Sequence, residues 1–220
     1  MYENKEITYF SYIREDLINL IPKTFRACNV LEIGCGNGAT LQKLKKIGIA
    51  NKTTGIELFP SEDNFYDTVD HFFPENVEQM AFPSYMNNSF DIILLGDVLE
   101  HLVDPWSTLK KVSTLLKAEG RIIVSLPNIR YYTILKSIIF NGDFKYEEAG
   151  ILDKTHLRFF CRKNIIELLE NADLKVDIIT STFDRETIKS KKHLLNKITF
   201  GLFHDFFVYQ FLAVARKVQV

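Results

Sequence analysis

The sequence predicts an α/β fold built as a doubly wound parallel sheet, and three observations carry that expectation. Val30, Leu31 and Ile33 form a short apolar run that enters a turn at Gly34, Gly36 and Gly38, beyond which a helical pattern begins. Strand-like and helix-like segments then alternate as far as residue 127. The third observation is the run at residues 90–95, a buried-strand pattern whose end carries Gly96 and Asp97, then Glu100 and His101. Sheets of this kind bind ligands at the C-terminal ends of their strands, so these polar groups mark the candidate site.

The totals bound the rest. A chain of 220 residues with 46% hydrophobic content supports one core, and residues 1–220 are expected to form a single domain. Lys and Arg number 27 against 28 acids, and a net charge of -1 provides no field to gather nucleic acid. Cys28, Cys35 and Cys161 are scattered without a CxxC pair, which indicates neither a disulfide framework nor a zinc site and fits a reducing cytoplasm. No metal ligand set is expected. The first residues lack a signal-peptide pattern, and no uncharged run approaches the roughly 20 residues of a membrane span. Stable membrane insertion is therefore not expected, the partner is expected to be a small molecule, and a homo-oligomer is left open.

Along the chain, residues 7–21 place Tyr9, Ile13, Leu17 and Leu20 at helical spacing until Pro22. After the glycine turn, Leu41, Leu44 and Ile47 continue a helix that Gly48 ends. Residues 53–57 read as a second strand closed by Glu57, and residues 69–73 as a weaker third. Asp104 and Pro105 have the chemistry of an N-cap and first helical position, opening a helix to residue 116 before Gly120 turns into a strand over 121–126. Residues 129–160 interrupt the alternation and are expected to form an insert or lid near the substrate site. A helix over 161–172, a strand over 175–180, a helix over 186–203 and a strand over 207–216 complete the reading.

The glycine turn formally fits a dinucleotide fingerprint, which alone is weak. Charge discriminates. Glu32 lies two residues before Gly34 and would set a carboxylate beside a pyrophosphate. S-adenosylmethionine has no phosphate, and its sulfonium and ammonium both favour a nearby carboxylate while backbone amides take its own carboxylate. Glu57, about twenty residues past the glycines, suits ribose hydroxyls with either ligand.

Taken together, Glu32, Gly34, Cys35, Gly36 and Asn37, then Gly55, Ile56 and Glu57, then Phe90, Asp91, Ile92 and Ile93 resemble the class I S-adenosylmethionine-dependent methyltransferases, over nearly the whole chain. Residues 96–105 and 150–160 resemble a bacterial subgroup associated with surface-polysaccharide biosynthesis, and more distantly the ubiquinone-pathway O-methyltransferases. The resemblance implies a Rossmann-like, doubly wound seven-stranded sheet in the order 3-2-1-4-5-7-6, strand 7 antiparallel, with a helical insert after strand 5. It further implies that Glu32, Gly34, Cys35, Gly36 and Asn37 surround the methionine part of the donor. Glu57 and Leu58 would meet ribose and adenine, Asn76 with Val77 the adenine amine, and Asp97 the methionine end. The subgroup usually carries Asp where Asn76 stands. Arg14 matches an arginine that approaches the donor carboxylate. The implied activity is methyl transfer to a hydroxyl, less readily an amine, of a small molecule such as a sugar or glycan precursor. The alternatives are an NAD(P)-dependent oxidoreductase and a catalytically silent cofactor-binding module.

A hydroxyl acceptor must lose its proton as the new bond forms, and histidine is a suitable base. His101 and His156 are the candidates. Each has a plainer alternative, a local hydrogen bond that caps a helix or anchors the insert. If the segment of residues 153–160 is extended, His156 and Arg158 share one side and Leu157 and Phe159 the other. The aromatic-rich segments 129–140 and 194–207 admit sheet cover, a substrate mouth or a contact surface.

Overall fold

In the computed structural model, which describes residues 12–59, 69–185 and 191–218, the central strand is β1 (Cys28–Ile33). Its neighbours are β2 (Ala50–Ile56) and β4 (Phe90–Gly96), both parallel to it, with Val30 facing Thr53 on one side and Ile92 on the other. β3 (His71–Phe73) extends one edge. On the other side β5 (Leu116–Pro127) runs parallel to β4, while β7 (Gln210–Lys217) pairs antiparallel with both β5 and β6 (Leu174–Ser181). The resulting order is β3-β2-β1-β4-β5-β7-β6, as expected.

Period-two alternation divides the strands between two cores. Leu31, Ile33, Ile93 and Leu95 face α3 (Pro105–Ser113) and α5 (Arg162–Glu170), which contribute Leu109, Val112, Ile165 and Leu168. Val30, Ile92 and Leu94 face the opposite way, against Leu17 of α1 (Glu15–Ile18) and Leu41 and Leu44 of α2 (Ala39–Lys46). Each such fully buried aliphatic contributes about 1.5–3 kcal/mol. The helical insert is α4 (Tyr132–Lys136), which runs on into a wider π-type turn at Ser137–Asn141. α6 (Lys191–Ile198) and α7 (His204–Phe207) connect β6 to β7.

Several boundaries differ from expectation. The helix expected over residues 7–21 is, among the described residues, only the single turn of α1, and residues 7–11 lie outside the description. Ile47 is exposed rather than core-facing, because α2 stops at Lys46 and the turn at Gly48 buries Ile49 instead. Gly120 does not precede a strand but lies inside β5, which starts at Leu116. A Cβ there would stand 2.7 Å from the Leu116 side chain and 3.1 Å from the Asp91 carbonyl, so the irregular β4–β5 pairing requires a residue without one. The helix over 161–172 is shorter, with Cys161 at its N-cap position and Asn164 accepting the Cys161 N–H at 3.3 Å. The helix over 186–203 is described only for α6; residues 186–190 lie outside the description.

Candidate functional site

The ends of β1, β2 and β4 open into a cavity of about 880 Å³. Its floor is the glycine turn. Gly34 has φ +70°, and a Cβ on it would stand 2.5 Å from Val98 Cγ2, so the chain can pass under the cavity only without a side chain there. The Gly34 N–H donates to the Ile56 carbonyl at 2.8 Å, tying the turn to β2. Glu57, just past β2, fixes it from above: Oε2 accepts the Gly36 N–H at 2.9 Å and Oε1 the Phe59 N–H at 3.1 Å. Burial pushes the Glu57 carboxyl up, against the hydrogen bonds from Phe59 and Gly36.

Glu32, Gly34, Cys35, Gly36, Glu57, Leu58, Asn76, Val77, Asp97, Arg14 and His101 all line this cavity. Glu32 is buried, with one oxygen accepting from Thr40 and Oε2 without a hydrogen-bond partner. Burial raises its carboxyl to about 8, and Arg14 opposes that rise. Arg14 donates to Asp16 at 2.8 Å and to Asp97 at 3.0 Å; burial works against its charge, but these carboxylates more than offset it. Asp97, at φ 56°, is held by Arg14, by the Ser125 hydroxyl at 2.9 Å and by the Gln210 amide, so three separate segments converge on its carboxylate. Burial and two nearby carboxylates push the Cys35 thiol well up, which leaves it a neutral wall group. Asn76 uses its carbonyl oxygen to accept the Glu78 N–H at 2.9 Å; a second lone pair remains on that oxygen.

Two expected site residues do not reach the wall. Asn37 is buried beneath the turn, its carbonyl oxygen accepting the Ala39 N–H at 3.1 Å where α2 begins. His156 also turns inward. Asp153 accepts from both the N–H and hydroxyl of Thr155, and the His156 N–H bonds the Asp153 carbonyl at 2.9 Å, so residues 153–156 form a turn rather than an extended run. Arg158 points elsewhere, donating to the Val103 carbonyl at 3.1 Å over the Trp106 ring. The expected sharing of one side by His156 and Arg158 therefore fails.

His156 instead packs edge-on behind His101, ring centroids 4.7 Å apart. His101 Nδ1 bonds the Thr155 carbonyl at 3.1 Å and His156 Nδ1 the Ile151 carbonyl at 2.9 Å. A carbonyl only accepts, so each neutral ring carries its proton on Nδ1 and its lone pair on Nε2. Glu100 completes the group: its carboxyl is buried, neither oxygen has a hydrogen-bond partner, and one ligand atom from it and one from each histidine lie within 4.8 Å of one another. Burial, then Asp97, push this carboxyl well up. Two imidazoles and a carboxylate form a donor set that suits a divalent cation. Nothing in the sequence alone brings this trio together or singles out Thr40, Ser125 or Gln210. The nearest thing to a local signal is a polar residue inside an apolar strand, as at Ser125.

A seven-stranded sheet in this order, with an acid-lined cavity above its first, second and fourth strands, defines the class of Rossmann-like methyltransferases. The chain belongs to the family described as "Methyltransferase domain", whose model matches residues 6–178. The ubiquinone biosynthesis O-methyltransferase of Bradyrhizobium diazoefficiens is 27% identical over 143 residues, 58% of this chain and 53% of that protein. The human mitochondrial protein of the same name is 24% identical over 192 residues, 76% of this chain and 48% of its own. The chain spans about half the length of the curated relatives it matches. Among solved structures, an S-adenosylmethionine-dependent methyltransferase from Mesorhizobium loti superposes with TM-score 0.62 at 13% identity, covering 92% of this chain and 96% of that one. The Burkholderia thailandensis 1,6-didemethyltoxoflavin-N1-methyltransferase, with its substrate and S-adenosylhomocysteine bound, gives 0.61 at 16%, covering 99% and 81%.

Proposed function

We propose that the protein transfers the methyl group of S-adenosylmethionine to a hydroxyl of a small acceptor of the sugar or glycan-precursor class. One observation carries the reading: Glu32 turns a buried, half-unpartnered carboxylate into the cavity beside Arg14. A cationic donor beside Glu32 favours its ionised form and gains a charge pair, whereas a pyrophosphate gains nothing from this carboxyl, so the oxidoreductase alternative is not favoured. Membership of the methyltransferase family supports the donor. When bound, S-adenosylmethionine supplies an electrophilic methyl group on a sulfonium.

The chain's own residues do the remainder. Glu32 and Asp97 attract the cationic end, Arg14 the carboxylate, and Glu57 accepts from ribose through lone pairs not used by Gly36 and Phe59. Asn76 and Val77 border the adenine. His101, with its lone pair on Nε2, would take the hydroxyl proton as the acceptor oxygen bonded the methyl carbon and the sulfur–methyl bond broke, leaving S-adenosylhomocysteine; His156 packs against its ring from behind, with the Glu100 carboxyl beside them. Glu148, Ala149, Thr155 and Leu157 of the insert close the acceptor side. The names of the relatives support an oxygen acceptor, and the likeness of residues 96–105 and 150–160 to polysaccharide-associated enzymes supports the glycan class. Three unpaired thiols suit a cytoplasmic setting.

The test is methyl transfer from labelled donor to a panel of sugar nucleotides, glycosides and phenols. Transfer is expected to a hydroxyl, and His101→Ala is expected to lower turnover about 10²–10⁴-fold with donor binding intact. Tight donor binding with no transfer to any acceptor would instead indicate a silent binding module. A second reading rests on the unpartnered Glu100 oxygens: Glu100, His101 and His156 hold a divalent cation that lowers the acceptor's pKa. Activity lost on chelation and restored by magnesium or zinc would establish it; activity indifferent to chelation would exclude it.

A further inference from the structure

α6 is docked inside out. Helices of a folded domain normally turn their aliphatic stripe to the core, yet here the half-buried residues are Lys192, His193, Asn196 and Thr199, and the exposed ones are Leu194, Leu195 and Ile198. Specific contacts fix this rotation. His193 stacks on Phe183 at 4.0 Å, and Lys192 bonds the Tyr131 hydroxyl at 3.1 Å and lies over the Tyr132 ring at 4.9 Å. The next turn continues the display: Phe200 is 99% exposed at φ 51°, a strained conformation for a bulky residue, and Leu202 is 77% exposed.

The Lys192 contacts join α6 to the helical insert, which also buries none of its side chains and ends in Ile139 and Phe140, 69% and 78% exposed. Charge identifies the occupant of this face. Residues 129–141 and 191–203 contain Arg130, Lys136, Lys191, Lys192 and Lys197 and no carboxylate of their own; Arg130 pairs with Asp205 at 3.5 Å and Lys192 is held on Tyr131, so Lys136, Lys191 and Lys197 are the exposed cations of this face. A second copy would bring the same cations against it, and like charges oppose a self-complementary contact. An anionic surface with an apolar interior satisfies both halves of the pattern: headgroups meet the lysines, and the aliphatic and aromatic tips enter the acyl boundary. No helix among the described residues is long and apolar enough to cross a membrane, so the contact lies on the bilayer. We infer that α6 and the insert form a docking face for anionic lipid bilayers.

Co-sedimentation of the full chain with sucrose-loaded vesicles tests this. Binding is expected to phosphatidylglycerol-containing vesicles and to fall at least tenfold on phosphatidylcholine alone or at high salt. Lys191→Glu with Lys197→Glu is expected to abolish the preference for anionic lipid. Leu194→Ser with Ile198→Ser is expected to weaken binding at every salt concentration. All four positions are exposed, and an unchanged melting temperature and donor affinity confirm that the variants fold. Absence of vesicle binding, binding equal in wild type and variants, or a concentration-dependent dimer that the Leu194 and Ile198 substitutions dissolve would each overturn the inference.

Discussion

At the scale of single residues, the proposed donor site gives Glu57 a second task beside the one its hydrogen bonds show. Glu57 holds Gly36 and Phe59 through its two oxygens and still has lone pairs to offer ribose. Glu57→Ala is expected to cost about 1.5–3 kcal/mol of donor affinity, and Glu57→Gln, which keeps one acceptor oxygen, less. Titration calorimetry with S-adenosylhomocysteine measures both, and equal affinities in all three proteins would remove Glu57 from the ribose contact. Glu32, Glu57, Asp97 and His101 were legible in the sequence because their place follows from the backbone: each sits at or just past the end of a strand that periodicity identifies. Ser125 and Gln210 were not, since they reach Asp97 from 28 and 113 residues away, and separations of that kind follow only from the sheet order. His156 was misplaced for a local reason, the Asp153 to Thr155 hydrogen bonds that break the alternation of an extended chain.

At the scale of elements, the glycine turn works because backbone occupies space that a side chain would fill. Gly34→Ala forces a positive φ on a residue with a Cβ and drives that Cβ into Val98. A loss of about 1–3 kcal/mol in denaturant unfolding is expected, together with weakened donor binding as the floor lifts. A variant with wild-type midpoint and affinity would show that the turn relaxes without consequence. The core strands were readable because both of their faces are apolar, and α3 because Asp104 accepts the Ser107 N–H at 3.0 Å as an N-cap should. The Gly120 region was not, because a glycine inside a bulged strand has the same local signature as one in a turn. α6 was readable as a helix, but its reversed orientation depends on Phe183 and Tyr131, which no periodicity within the helix reports.

At the scale of the whole molecule, the donor site and the stability of the fold draw on the same carboxyl. Glu32 is on the central strand, where burial keeps it protonated up to about 8 in the folded chain, whereas the unfolded chain releases that proton near 4.5. Between those values the folded state binds more protons, so the contribution of Glu32 to stability is complete below 4.5 and is lost as pH rises toward 8. The loss amounts to up to about 5 kcal/mol. The melting temperature is therefore expected to fall between about pH 5 and 8 and to level off above that, and Glu32→Gln to flatten that profile and melt higher than wild type at pH 9. Donor binding reverses the balance, because a sulfonium or ammonium beside Glu32 favours the ionised form. S-adenosylmethionine bound at pH 7 is thus expected to expel close to one proton, read as a dependence of the calorimetric enthalpy on buffer ionisation enthalpy. Glu32→Gln should abolish both the proton release and most of the affinity. A wild-type enthalpy independent of buffer would mean that the donor's positive charge does not lie against Glu32, and the polarity of the whole cavity would then have to be reassigned around Asp97.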